Sequence, residues 1–145
     1  MDQILPRLSS VLIYTLPLNA AKPFGDYLFS KYYFLEKLID LLTFPIEIIE
    51  KSLPFGSLLL FIILFAGLVR NPKVPYFIRY NACQALLMDI ALIIISYLLR
   101  IFPIVELGSI IFIFTLSIFI YSIFQCLSGV EPEIPLISKS VRMQI

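Results

Sequence analysis

Two long apolar runs, joined by a short turn, constrain the fold of this chain more than any other feature. Residues 77–99 and 107–127 are each long enough to cross a hydrocarbon core of about 30 Å as a helix. A helix is favoured because every backbone polar group must be hydrogen-bonded inside a lipid bilayer. Hydrophobic residues make up 60% of the 145 residues and charged residues only 14%. The chain is therefore predicted to be an integral membrane protein.

Two further apolar segments predict additional spans. Residues 54–69 begin with a proline, which suits the first turn of a helix. Residues 4–21 just reach across the core, with Arg7 snorkelling to the surface and Pro17 expected to kink or end the helix. The prediction is an all-α integral membrane protein with four transmembrane helices in a single membrane domain. Its segments are spans at about 4–21, 54–69, 77–99 and 107–127, and a polar C-terminal tail at 128–145.

Residues 34–53, between spans one and two, predict an amphipathic helix in the membrane interface. The segment has too many charges for a span, its opposite face is apolar, and Pro45 is expected to kink it. Acids outnumber lysines on the polar side, whereas helices that bind anionic lipid are normally basic. Two interpretations stay open: a solvated face above a lipid-embedded one, or a docking surface for a basic partner. Four residues at helical spacing form this acidic stripe: Glu36, Asp40, Glu47 and Glu50.

The loop before the third span sets the predicted orientation. It carries Arg70, Lys73 and Arg79 and no acid, and its prolines hold it extended. Short basic loops remain on the cytoplasmic side of a membrane under the positive-inside rule. Four spans place both termini on the same side as this loop. We therefore expect the termini and the basic loop on the cytoplasmic or stromal side.

Polar residues recur along one side of the third and fourth spans. If these spans pack as an antiparallel pair, Asp89 should lie near Ser117 and Asn81 near Gln125. A charged Asp near the centre of a span costs about 2.5–3.5 kcal/mol on insertion scales. Asp89 is therefore expected either to be protonated and hydrogen-bonded inside the bundle or to line a water-accessible groove. The predicted polar intramembrane face consists of Asn81, Gln84, Asp89, Ser117, Tyr121 and Gln125.

Catalytic and metal chemistry find little support in the sequence. The chain has no histidine, which removes the usual general base and the commonest metal ligand. Cys83 and Cys126 are too few for a zinc site and, in apolar segments, are predicted to be small buried residues. A single carboxylate within the spans offers no acid–base pair. We predict no enzyme activity and no catalytic, metal or cofactor site, and a net charge of +1 gives no case for nucleic acid.

A resemblance to a known family rests on the basic loop and the third span. Arg70-Asn71 followed by Tyr76 to Ile90, YFIRYNACQALLMDI, resembles the signature of the Tic-twenty family, with Cys83 where a methionine is expected. The resemblance extends upstream to Leu53-Pro54-Phe55 and downstream to the tail CLSGVEPEIPLISKSV. That family is the small multi-span subunit of the protein-import translocon at the chloroplast inner envelope, with relatives in algal plastids and cyanobacteria.

The resemblance implies a core membrane subunit of the TIC complex that takes part in preprotein import across the plastid inner envelope membrane, with both termini stromal. A cyanobacterial plasma membrane is the alternative location. Because no transit segment precedes the first span, a plastid-encoded or cyanobacterial member is expected. Expected partners are membrane lipid and other translocon subunits or further copies, since four spans are few for a polypeptide conduit.

Preprotein transit peptides are a further expected partner, and they are rich in Arg and poor in acid. The acidic stripe is therefore a candidate preprotein-facing surface. The family offers no catalytic residues to carry over. The alternative function is a small solute or ion channel or transporter that uses Asp89 as its intramembrane site.

Overall fold

A computed structural model describes residues 4–134 and 137–144, apart from the side chains of residues 57 and 105. Within these residues all regular secondary structure is helical. A 3-10 turn (Lys22–Gly25) joins α2 to α3, and a π-helical turn (Phe65–Val69) extends α5. The predicted membrane domain also includes residues 1–3, 135–136 and 145, which lie outside the described part. The helices are α1 (Ile4–Ile13), α2 (Thr15–Ala21), α3 (Asp26–Lys31), α4 (Tyr33–Ser52), α5 (Gly56–Leu64), α6 (Tyr76–Ile101), α7 (Val105–Leu127) and α8 (Ile137–Gln144).

Helices α6 and α7 correspond to the two long apolar runs. Tyr76–Ile101 and Glu106–Leu127 are long and apolar enough to cross a membrane, and Leu58–Val69 is a shorter apolar helix. The first predicted span is divided into α1 and α2 at Tyr14. Pro17 explains the break, because its ring clashes with the carbonyl of the residue four positions earlier, where α1 ends. Within the described residues, two helices are thus long and apolar enough to cross a membrane, and four spans stay a prediction.

Helices α1 and α2 contact both α6 and α7. The buried core around them includes Tyr14, Leu18 and Phe112, all 0% exposed. The Arg7 guanidinium donates a hydrogen bond to the Leu127 carbonyl at 3.2 Å, so the start of α1 lies beside the end of α7. The region around Tyr14 and α2 therefore packs between α6 and α7.

The two ends of the bundle have different contents. One end, here called the loop end, contains the start of α1, the end of α7 and the start of α6. The Arg7–Leu127 hydrogen bond joins α1 to α7 there, and the Tyr80 hydroxyl of α6 donates to the Pro132 carbonyl, just after α7, at 2.7 Å. At the other, the turn end, the 3-10 turn packs against the start of α7. A Cβ atom on Gly108 would lie 3.3 Å from the Phe24 carbonyl oxygen, so glycine permits this close approach. The basic loop and the C-terminal tail therefore share the loop end.

The C-terminal tail folds back on the bundle, which its polar sequence did not predict. Residue Ile134 and the α8 residues Ser138 and Val141 are buried, and α8 contacts α6. Gly129 adopts a positive φ of 79° in the turn after α7, a conformation that favours glycine. This turn redirects the chain towards α6.

Candidate functional site

Two polar residues of α6 form the heart of a buried hydrogen-bonded cluster at the loop end. Asn81 and Gln84 are both 0% exposed. The Tyr14 hydroxyl donates to Asn81 Oδ1 at 2.7 Å and accepts from Gln84 Nε2 at 2.8 Å. Asn81 Nδ2 donates to the Phe77 carbonyl of its own helix at 2.8 Å. Buried amides need such partners, because an unsatisfied polar group costs about 1–3 kcal/mol.

The C-terminal tail completes this cluster. Gln84 Nε2 also donates to the Pro132 carbonyl at 3.1 Å, and the Ser138 hydroxyl donates to Gln84 Oε1 at 2.6 Å. The Ile134 amide donates to Ser138 Oγ at 2.7 Å. All three hydrogen-bonding groups of the Gln84 amide are thereby occupied inside the protein. We call Tyr14, Asn81, Gln84 and Ser138 the polar centre.

A second set of contacts closes over the polar centre from the tail. The Arg142 guanidinium lies 5.1 Å from the ring centroid of Tyr80, within the range of a cation–π interaction. Arg142 also forms ion pairs with Glu133 at 2.8 Å and Glu131 at 3.3 Å. These contacts are exposed and weak individually. They hold α8 over the start of α6.

The expected pairing between the polar residues of α6 and those of α7 is wrong. The Ser117 hydroxyl is exposed and donates to the Ile113 carbonyl of its own helix at 2.8 Å. Tyr121 is 40% exposed, and its oxygen accepts a hydrogen bond from the Glu133 amide at 3.4 Å. The two faces are apart because α1 and α2 contact both helices.

The antiparallel register predicted for α6 and α7 nevertheless differs from the observed one by a single residue at Asn81. Cys126 Sγ lies 3.5 Å from Asn81 Oδ1, where Gln125 was expected. One residue corresponds to a rotation of about 100° around a helix, which explains why Gln125 is only half-buried. Cys83 and Cys126 are both buried free thiols, as predicted.

Asp89 lies apart from the polar centre in the interior of the bundle. It is 4% exposed, and it forms no hydrogen bond or ion pair with any residue that the structure describes. Its buried neighbours along the helix are Met88 and Leu92. The three polar residues predicted for α6 are therefore divided between a satisfied cluster and a solitary carboxylate.

The acidic stripe on α4 meets a lysine from the 3-10 turn. Lys22 Nζ lies 2.8 Å from Asp40 Oδ1 and 3.4 Å from both Glu47 Oε2 and Thr43 Oγ1. Burial alone would lower the pKa of Lys22, but the hydrogen bond and charge of Asp40, with those of Glu47, outweigh it and raise the pKa above its usual value. A hydrogen bond from Lys51 and the charge of Lys22 lower the pKa of Glu47.

The remaining two acids of the stripe differ from each other. Glu50 accepts a hydrogen bond from Asn19 Nδ2 at 3.0 Å, and burial together with the charge of Glu47 raises its pKa. Glu36 is half-buried and has no ion pair within the described ranges. Asp40 keeps 53% of its side chain exposed despite its ion pair. The stripe therefore retains accessible negative charge at Glu36 and Asp40.

The orientation of α4 corrects part of the sequence interpretation. Of the two interpretations left open, a fully solvated polar face does not hold along the whole helix, because Thr43 is fully buried and Glu47 and Glu50 are half-buried against α2. The part of the polar face around Thr43, Glu47 and Glu50 turns inward, where Lys22 and Asn19 supply its partners. The outward face is apolar and includes the exposed residues Phe34, Leu38, Leu41, Phe44, Ile48 and Ile49.

The basic loop is held by its own polar groups. Arg79 Nε donates to the Val69 carbonyl at 3.1 Å, which satisfies a backbone group left over at the end of the π-helical turn. The Arg70 guanidinium lies 5.3 Å from the Phe65 ring centroid, and the Lys73 amide donates to Asn71 Oδ1 at 3.0 Å. Arg70 and Lys73 are exposed, so their charges are accessible at the loop end.

Comparisons with known proteins cover almost the whole chain. The family model described as "Chloroplast import apparatus Tic20-like" matches residues 3–141. The chain is 32% identical over 148 residues to "Protein TIC 20-v, chloroplastic" of Arabidopsis thaliana, covering 96% of this chain and 70% of the relative. It is 33% identical over 150 residues to a "Tic20 family protein" of Synechocystis, covering 96% and 92%. A "Tic20 family protein Ycf60" of Porphyra purpurea is 30% identical over 152 residues, covering 96% and 75%.

Proposed function

Because the chain belongs to the Tic20 family, we propose that it is a core membrane subunit of the translocon that imports preproteins across the plastid inner envelope. The observation that carries this proposal is the family match over residues 3–141, which includes both the polar centre and the acidic stripe. Relatives from Arabidopsis carry the word chloroplastic in their names. The chain would act by scaffolding or lining a path within a larger assembly, together with other subunits.

Four membrane crossings are part of this proposal. The segment α1–α2 extends over residues 4–21, or about 27 Å, and contacts both α6 and α7, with most of α2 buried and one face of α1 exposed. The segment from α5 through the π-helical turn, residues 56–69, is about 21 Å long and calls for a locally thinner bilayer or a contribution from α4. An even number of crossings places the termini and the basic loop together, on the stromal side by their charge.

The acidic stripe supplies a means of capturing an incoming basic segment. It already binds one cation, since Lys22 is held by Asp40 and Glu47. Glu36 and the exposed part of Asp40 remain to attract Arg side chains of a transit peptide. Each exposed pair contributes only about 0–1 kcal/mol, so capture would be weak, multivalent and reversible. Such weak binding suits a preprotein that must be released again during translocation.

Crosslinking to an arrested preprotein tests this role. We expect the double variant Glu36→Gln and Asp40→Asn to reduce crosslinks between α4 and the preprotein. The matched control is Glu106→Gln, which removes an exposed carboxylate at the start of α7, near the same end of the bundle. Unchanged crosslinking in an assembled translocon would refute the stripe as a capture surface. Failure of the wild-type chain to co-purify with import components would refute the translocon role itself.

The buried Asp89 favours a second candidate function, a small solute or ion transporter. A carboxylate that is 4% exposed and without a hydrogen bond in the described part of the chain is costly in a membrane. Against this candidate, the polar centre is internally hydrogen-bonded and offers no continuation of a polar path from Asp89. Purified protein in liposomes distinguishes the two functions. Solute flux that is abolished by Asp89→Asn would favour the transporter.

A further inference from the structure

A groove at the turn end separates the last turns of α6 from the start of α7. It has a volume of about 450 Å³, which is in the range of small-molecule sites. Its floor is formed by Pro23 and Phe24 of the 3-10 turn, and its walls by Leu92 and Leu99 of α6 and by Ile104. The contact between Phe24 and Gly108 fixes this floor against α7. The groove is therefore a feature of the helix packing.

Two unpaired charges lie at the mouth of the groove. Arg100, in the last turn of α6, and Asp26, at the start of α3, both line it and are both exposed. Neither forms an ion pair with another described residue. The Arg100 guanidinium lies 5.4 Å from the Tyr97 ring centroid, which orients it without neutralising its charge. A guanidinium in this state matches a phosphate group.

The groove changes character along α6. From Leu92 to Arg100 the helix rises about 12 Å, which joins an apolar wall to a charged mouth. Arg100 lies in the last turn of α6, a helix long and apolar enough to cross a membrane, so a spanning α6 would place it near the lipid head groups. A free aqueous anion would leave the apolar part unfilled, and a purely apolar molecule would leave Arg100 unused. The groove is thus complementary to an amphiphile that has an apolar chain and an anionic group.

We propose that this groove binds one phospholipid, with the phosphate at Arg100 and an acyl chain along the apolar wall of α6. Asp26 accepts a hydrogen bond from a hydroxyl or amine of the head group, so head groups with such a donor are preferred. The bound lipid would fill the gap between the two long helices at the turn end. This site does not depend on the import role proposed above.

Native mass spectrometry of the delipidated full chain, titrated with phosphatidylglycerol, tests the proposal. Arg100→Gln should weaken lipid retention by at least about tenfold, because hydrogen bonds to charged groups contribute about 1.5–3 kcal/mol. The matched control is Lys31→Gln, since Lys31 is also exposed and lies 5.9 Å from a tyrosine ring centroid. A second variant, Ser96→Phe, fills the groove while leaving Arg100 in place, and should abolish retention without lowering the melting temperature.

Several outcomes would overturn the proposal. One is equal retention by Arg100→Gln and Lys31→Gln, which would mean only annular lipid around the bundle. Another is equal retention of a neutral glycolipid with the same acyl chains, which would exclude phosphate recognition. Competition by glycerol 3-phosphate alone would assign the site to a free phosphate rather than a lipid. Unchanged retention by Ser96→Phe would place the bound lipid outside the groove.

Discussion

Replacing Gln84 by leucine should release the C-terminal tail from α6. The Gln84 amide bonds to Tyr14, Pro132 and Ser138, so it joins Tyr14, between α1 and α2, to the tail. Leucine has a similar volume, so the change removes hydrogen bonds while leaving little cavity. The substitution therefore isolates the contribution of the polar centre.

The expected magnitude follows from the partners that remain. The Pro132 carbonyl still accepts from Tyr80, and the Tyr14 hydroxyl still donates to Asn81. The Ser138 hydroxyl still accepts from the Ile134 amide, but as a donor it keeps only a 3.5 Å contact with the Pro132 carbonyl. Net hydrogen bonds contribute about 0.5–1.5 kcal/mol in proteins and average about 0.6 kcal/mol in a membrane, so losing three costs about 2–4 kcal/mol. That cost corresponds to a melting temperature lower by roughly 5–15 °C.

The two buried thiols provide the assay. The chain has no tryptophan, but Cys126 touches Asn81 in the polar centre and Cys83 lies in a buried cluster with Val141 of α8. A thiol-reactive maleimide dye therefore reports opening of the tail in detergent. Gln84→Leu should be labelled faster and at a lower temperature than the unmodified chain. Single-cysteine versions with Cys83→Ala or Cys126→Ala identify which thiol becomes accessible.

The matched control is Gln125→Leu. Gln125 is half-buried on α7, and its side chain forms no hydrogen bond with the residues that the structure describes. Its replacement should change the labelling rate little. If both glutamine variants behave alike, the polar centre does not hold the tail and the reasoning is refuted.

Three further predictions concern the charged groups of the bundle. Glu50→Gln should raise the melting temperature at neutral pH, because burial and a neighbouring carboxylate raise the pKa of Glu50 while glutamine still accepts from Asn19. Since the folded-state pKa is raised, this advantage should fade as the pH falls and Glu50 becomes protonated, and a constant advantage would contradict the assignment. Lys22→Met should loosen α4, seen as faster limited proteolysis than for the exposed control Lys37→Met. Asp89→Asn should leave the melting temperature equal or higher, and a clear decrease would show that the carboxylate has a stabilising partner.

The helices themselves were largely predictable. The runs that became α6 and α7 exceed the thickness of a bilayer, and lipid admits few alternatives to a helix. Charges at spacings of three and four identified α4, and Pro17 explained the break at Tyr14. These features depend on neighbours within a few turns of the chain. Sequence carries that information directly.

The partners of the polar residues were not predictable in the same way. Tyr14 was overlooked, although a phenol in the middle of an apolar segment signals a need for a buried partner. Lys22 was assigned to a connection, whereas it binds two acids of α4. Ser117 was paired with Asp89 because both lie on polar rows, yet Ser117 faces outward. The spacing of residues along a helix shows which side chains share a face, but it does not show which other elements that face contacts.

By itself, the sequence determined that this chain is helical, suited to a membrane, and a relative of import components, since apolar length, charge spacing and motif residues are local properties. Only the tertiary structure decided that α1 and α2 contact both α6 and α7, that the tail closes on Gln84, and that two acids of the stripe pair with Lys22. The physical reason is that lipid-facing and bundle-facing surfaces are both apolar. Hydrophobicity therefore does not determine which helices lie next to each other. Close packing and hydrogen bonds between helices determine it.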